Sequence, residues 1–411
     1  GQFATTASGA TLQRFSSPLL LSQNGTFDRT AAAAPIAWGA DLSAAADATG
    51  VPVLTVAGGA EPFAFGSTNA PALFNADVSA ANGVLFRDRS WLARVPASSP
   101  WSIASGADVA IGSAGLLGSG DLTLTNCSVR LPAPDALGAG GETVTVGGTS
   151  NTVWFETTRL AGTTVSNDPA YAFTAANNVV LSGTSASVGF DGAGTVTYAG
   201  AISGSGALVK NGSGDAVLTA ASTFAGTVKV NAGRLLVSED AQLGSSSNPL
   251  VLAGGSLVLA NASPLTLSHP VSGTAGSLSV ASGGLTLTGA ASGAITKRGN
   301  GTLTLGGATD GGALDLYVAE GVAVLDKSGA AAVRNITGVD TGAVARLAGS
   351  GGNLIVSNAT LTGGTFDLNG VSESVGVLAS TSLSSVVTSA ASATLTVGEG
   401  NAGGSYYGSL A

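Results

Sequence analysis

One cysteine, one histidine and no methionine in 411 residues leave few side chains for reactive chemistry. A single cysteine forms no intrachain disulfide, so this is not a disulfide-stapled scaffold, and Cys127 reads as a small buried residue. With His269 as the lone histidine, a zinc site lacks ligands and any Ser-His-Asp arrangement has one histidine to draw on. Beside Pro270, His269 reads as a solvated or hydrogen-bonded turn residue. Charged residues make up 9% of the chain, against roughly 25% in average globular proteins. The net charge is −9 and the few Lys and Arg are scattered, which argues against a nucleic-acid partner. No run approaches the roughly 20 apolar residues of a membrane-spanning helix. Helical periodicity is missing too.

Glycine, with 62 copies, and small residues fill the space. Short strands alternate apolar and small polar residues between glycine turns, as in Gly255-Ser-Leu-Val-Leu, Gly284-Leu-Thr-Leu-Thr and Thr302-Leu-Thr-Leu. Ten of the 13 prolines lie at or before Pro169, and all four tryptophans (Trp38, Trp91, Trp101, Trp154) share that part. The expected organisation is an extended N-terminal cap or donor strand over 1–21, an irregular part over 22–170 and a regular one over 171–411. Trp154-Phe-Glu156 reads as core. The absence of methionine at position 1 leads us to expect a secreted chain after removal of a signal peptide.

The regular part repeats itself. Gly206-Ala-Leu-Val-Lys-Asn-Gly-Ser-Gly-Asp-Ala-Val-Leu218 returns as Gly293-Ala-Ile-Thr-Lys-Arg-Gly-Asn-Gly-Thr-Leu-Thr-Leu305, 87 residues on, with Lys210/Lys297, Gly212/Gly299 and Gly214/Gly301 in register. Val-Asn-Ala-Gly233-Arg-Leu-Leu-Val is echoed by Val-Ala-Glu-Gly321-Val-Ala-Val-Leu at a spacing of 88. Units that repeat without a core of their own stack on their neighbours. A sandwich favours bulkier inward positions and no sequence repeat, so an all-β parallel β-solenoid is expected, built as a single elongated rod.

On Lys210, Gly212, Gly214 and Leu218, and on Lys297, Gly299, Gly301, Thr302, Leu303 and Leu305, the segments 204–237 and 292–325 resemble the passenger-associated transport repeat of bacterial autotransporters. The resemblance implies a right-handed β-helix on a bacterial surface. Relatives commonly carry an outer-membrane barrel, for which the chain shows no set of strands.

For function, a non-enzymatic structural solenoid that assembles head to tail with copies of itself into a fibre leads the expectations. Phe15, Leu19, Leu20 and Leu21 would meet Tyr406, Tyr407 and Leu410 at the junction. An adhesin passenger binding a surface glycan or host protein is the alternative, with Arg87, Asp88, Arg89, Trp91, Arg94 and Trp101 as its partner patch. A polysaccharide-active enzyme comes third, because its clustered carboxylates are not evident: Glu239-Asp240 is the one adjacent acidic pair, and Glu142 and Glu156 converge only through folding. No cofactor or metal is expected, and the calcium-binding Gly-Gly-x-Gly-x-Asp nonapeptide is absent.

Overall fold

A strand with one apolar face must bury it against a second layer or by coiling over its own kind. The computed structural model of this chain shows coiling. It describes all residues except 1, 5–12, 17, 29–35, 46–51, 58–62, 68–71, 76, 81–83, 87–88, 93–100, 104–106, 112–120, 132–141, 150, 162–163, 168, 261 and 351–352. Two units, Gly1–Gly206 and Ala207–Ala411, are each a β-solenoid of parallel strands. The described residues contain no α-helix, only two 3-10 turns at Asp240–Leu243 and Glu399–Asn401.

In the first unit one column stacks Gln2–Ala4, Gly25–Asp28, Val53–Ala57 and Asp77–Ala80. A second runs from Gln13–Phe15 through Ile36–Trp38, Phe63–Phe65 and Val84–Phe86 to Trp101–Ile103. A third begins with Leu19–Leu21 on Leu42–Ala44 and later includes Ser128–Leu131, Asn151–Glu156 and Ala186–Asp191. Parallel register puts like positions above one another, so the core here is a stack of rings. Phe65 and Phe86 each meet Phe74 edge to face at 5.0 Å, and Phe27 meets Trp38 at 5.9 Å. One hairpin, Thr158–Ala161 with Thr164–Asn167, departs from the parallel pattern.

Trp154 corrects the expectation of a core residue. Val153 and Phe155 take the inward positions of Asn151–Glu156, and alternation leaves Trp154 half-buried on the outer face. Its indole covers Gly189 of the next strand, where any Cβ would strike the ring.

In the second unit Leu208 pairs with Val228, Val228 with Leu250, and Leu250 with Val271, all buried. Beside them Leu235, Leu257 and Leu278 form the next row. The long strand Val271–Val280 joins the two columns across a register shift between Thr274 and Gly276. Each buried Leu or Val contributes roughly 1.5–3 kcal/mol, repeated at every turn of the coil. Polar ladders carry the hydrogen bonding over later register shifts. Asn335 Nδ2 donates to Asp315 Oδ1 at 2.8 Å, Asn358 N to Asn335 Oδ1 at 3.2 Å, and Val377 N to Asn358 Oδ1 at 3.1 Å.

Candidate functional site

The lysine that repeats with the corner glycines is where the pattern becomes chemistry. Lys210 ends the strand Ala207–Lys210, and Lys297 lies near the end of Ala291–Arg298. Each shares inward parity with an apolar residue two positions earlier, Leu208 or Ile295, and the lysines are 1% and 0% exposed. A buried ammonium needs acceptors. Backbone carbonyls supply them. Lys297 Nζ donates to the carbonyls of Glu320 (2.8 Å), Arg298 (3.2 Å) and Gly299. Lys210 Nζ donates to those of Gly212 (3.0 Å), Ala232 (3.4 Å) and Asn211. In both copies two acceptors belong to the turn just after the lysine and the third to the following turn of the coil.

Glycine completes the corner. Gly233 and Gly321 have φ of 61° and 66°, in the left-handed region. A Cβ on Gly321 would lie 2.5 Å from the Gly299 carbonyl oxygen, and one on Gly233 would lie 2.8 Å from Lys210 Nζ. Burial pulls the Lys297 pKa down to about 8, opposed by the Glu320 carboxylate. Burial also lowers that of Lys327, opposed by Asp310; Lys327 is 1% exposed, with its ammonium 3.5 Å from the Gly289 carbonyl. The two corner lysines are structural cations that tie one turn of the coil to the next, closed to solvent.

Residues weighed for catalysis are held in similar structural roles. His269 is fully buried, its Nδ1 3.0 Å from the Asn248 carbonyl oxygen and its Nε2 3.2 Å from Asp240 Oδ1. The hydrogen-bonded reading of this histidine holds, and the solvated one does not. Glu156 pairs with Arg130 at 2.7 Å, and Glu142 accepts from Asn177 Nδ2 at 3.2 Å. Among the described residues no group of three or more His, Cys, Asp and Glu is placed to hold a metal ion. None of their helices is long and apolar enough to cross a membrane.

The expected junction residues lie in different environments. Leu19 and Leu21 are buried and pair with Leu42 and Ala44, whereas Leu20 is 64% exposed. Phe15 lies opposite Trp38 in its strand, with its side chain outside the described residues. The Tyr406 hydroxyl is 3.1 Å from the Ser385 carbonyl oxygen and 3.0 Å from that of Ser409, and burial raises its pKa. Tyr407 and Leu410 are 61% and 74% exposed, beside and on the strand Ser409–Leu410, which pairs with Val386–Thr388.

Of the expected partner patch, Arg87, Asp88 and Arg94 lie outside the described residues. Arg89 and Trp91 sit in the strand Arg89–Leu92 opposite Asp108 and Ala110, their side chains likewise outside. Trp101 is half-buried, 6.0 Å from the Phe86 ring and edge to face with it.

One comparison with known proteins falls on the Lys210 corner. The passenger-associated-transport-repeat family model matches residues 208–237. The chain is similar to part of the adhesin BmaC autotransporter of Brucella suis biovar 1, at 33% identity over 192 residues. That alignment covers 42% of this chain and 5% of the adhesin, so the chain spans a small part of the relative's length. No solved structure matches. The second repeat copy reproduces the geometry of the first, with Lys297 and Gly321 in place of Lys210 and Gly233.

Proposed function

We propose that this chain, whose repeat, relative and solenoid fit a passenger-type β-helix autotransporter, is the adhesive, non-catalytic portion of a secreted cell-surface passenger. The similarity to an adhesin carries the reading. The geometry supports it in two ways. Buried rows and lysine-tied corners hold the outward residues of successive turns about 4.8 Å apart, a rigid display surface. His269, Glu142 and Glu156, considered for catalysis, are engaged by partners within the fold.

Adhesion is tested by displaying residues 1–411 on a non-adherent bacterium and counting cells retained on host cells and matrix proteins. Retention above an unrelated displayed solenoid is expected. Equal retention would remove the reading.

A second reading, end-to-end assembly, is favoured by one observation: the outer edge at Ser409–Leu410 carries exposed Leu410 and Tyr407. Such an edge accepts a further strand, from the chain's own continuation or from a second copy. Negative-stain microscopy across a concentration series tests it. Fibres that lengthen with concentration support assembly, and isolated particles at every concentration refute it. Deleting 1–21 is a poor probe because it strips Leu19 and Leu21 from the core.

A further inference from the structure

In the second unit a cleft of about 470 Å³ opens between the turn at Gly329, Ala330 and Ala331, the segment from Asn353 to Val356, and Glu399. Its lining has two characters. Val356 is 55% exposed, an aliphatic side chain left open to water, and Ala330 and Ala331 extend that surface. Asn353 and Glu399 are the polar residues of the lining.

The electrostatics are one-sided. Glu373, 4% exposed, accepts the N–H of Leu354 at 2.9 Å and that of Ser374 at 3.2 Å. Burial raises its pKa and the charge of Glu399 raises it further, so the two carboxylates feel each other. Glu373 is held by main-chain donors. Glu399 has no donor and no cation among the described residues. Nearby, Asp310 accepts the Gly312 N–H at 2.9 Å, and Val356 Cγ2 packs over Gly312. Of the neighbouring cations, Lys327 lies 3.5 Å from the buried Gly289 carbonyl and feels the Asp310 charge, and Arg334 pairs with Asp315.

We propose that this cleft takes a lysine or arginine side chain of a partner polypeptide. The aliphatic stem lies along Val356 and the alanines, and the cationic head reaches Glu399 with the Asn353 side-chain oxygen as second acceptor. The alternatives fit less well. An anion meets two carboxylates of like sign. A saccharide finds no aromatic face in the cleft on which to stack. A calcium ion meets one free carboxylate where it takes six to eight oxygens. The source of the side chain rests on the adhesive reading; the cation chemistry does not.

The test uses the whole chain in NMR titrations with Nα-acetyl-arginine methylamide and Nα-acetyl-lysine methylamide, with the citrulline and norleucine analogues as neutral matches. Saturable shifts at Asn353, Ile355, Val356 and Gly400 are expected with the cationic probes alone. E399Q should weaken binding at least tenfold without lowering thermal stability, since Glu399 is exposed and its charge opposes that of buried Glu373, and V356S should weaken it a fewfold. Equal response to arginine and citrulline derivatives, or unchanged binding by E399Q, overturns the proposal. Probe binding without adhesion by displayed cells supports the cation site and removes the adhesive reading. Adhesion that E399Q leaves intact overturns the polypeptide assignment while adhesion itself stands.

Discussion

Replacing Lys297 with methionine keeps the aliphatic stem and deletes the ammonium. The carbonyl oxygens of Arg298, Gly299 and Glu320 then lose a donor in a site closed to water. Each buried acceptor left unpaired costs about 1–3 kcal/mol, the lower end applying where a carbonyl keeps a second partner. Removing a desolvated cation returns part of this, about 1–2 kcal/mol. The net loss is about 2–4 kcal/mol. Because solenoid turns unfold locally, amide exchange of Leu303 and Ala323 is the sensitive assay. Protection there should fall by about 30-fold or more. A change under about threefold would refute the clamp.

A pH series sharpens the test. The folded Lys297 pKa of about 8 lies below the ordinary 10.5, so between these values the folded chain holds fewer protons than the unfolded one. Relative to the protonated chain, deprotonation of Lys297 adds nothing below about pH 8, adds stability progressively as the pH rises from there to 10.5, and is constant above it, while the donor role of the ammonium belongs to the lower range. The wild type should gain stability across that window relative to K297M. Parallel profiles would show that burial does not perturb this amine.

Gly321→Ala places a Cβ against the Gly299 and Gly301 carbonyls at a positive φ and should destabilise by about 2–3 kcal/mol, read from the urea midpoint. Asp315→Asn removes the charge from an exposed pair with Arg334 and should move the urea midpoint only slightly. Arg334 holds the Asp315 pKa below the usual carboxylate range, so that small contribution disappears as the pH falls through the folded pKa. Leu410→Ser with Tyr407→Ser leaves the melting temperature unchanged, since both are exposed, and shortens any fibres seen by microscopy.

Strands such as Thr302-Leu-Thr-Leu were legible because alternation over a one-sided core leaves a period-two trace, and the structure places Leu303 and Leu305 inward. The corners were legible from Gly-x-Gly. What went unread was burial of the lysine. Hydropathy assigns lysine to the surface, yet Lys210 shares parity with Leu208, and Lys297 with Ile295; that parity was the available signal. Parity also places Trp154 outside, since Val153 and Phe155 claim the inward positions and a large apolar side chain covers Gly189 instead. The cleft at Glu399 left no linear trace. Its walls come from residues 329–331, 353–356 and 399, brought together by stacking.

A cation that belongs to the chain cannot be washed away. Solenoids whose corners are closed by bound calcium fold where that ion is plentiful and loosen where it is scarce. At the Lys210 and Lys297 corners the positive charge is attached by a covalent stem and arrives at unit stoichiometry as each turn forms. A chelator finds nothing to extract there, and the concentration of divalent ions sets neither when nor where these corners close.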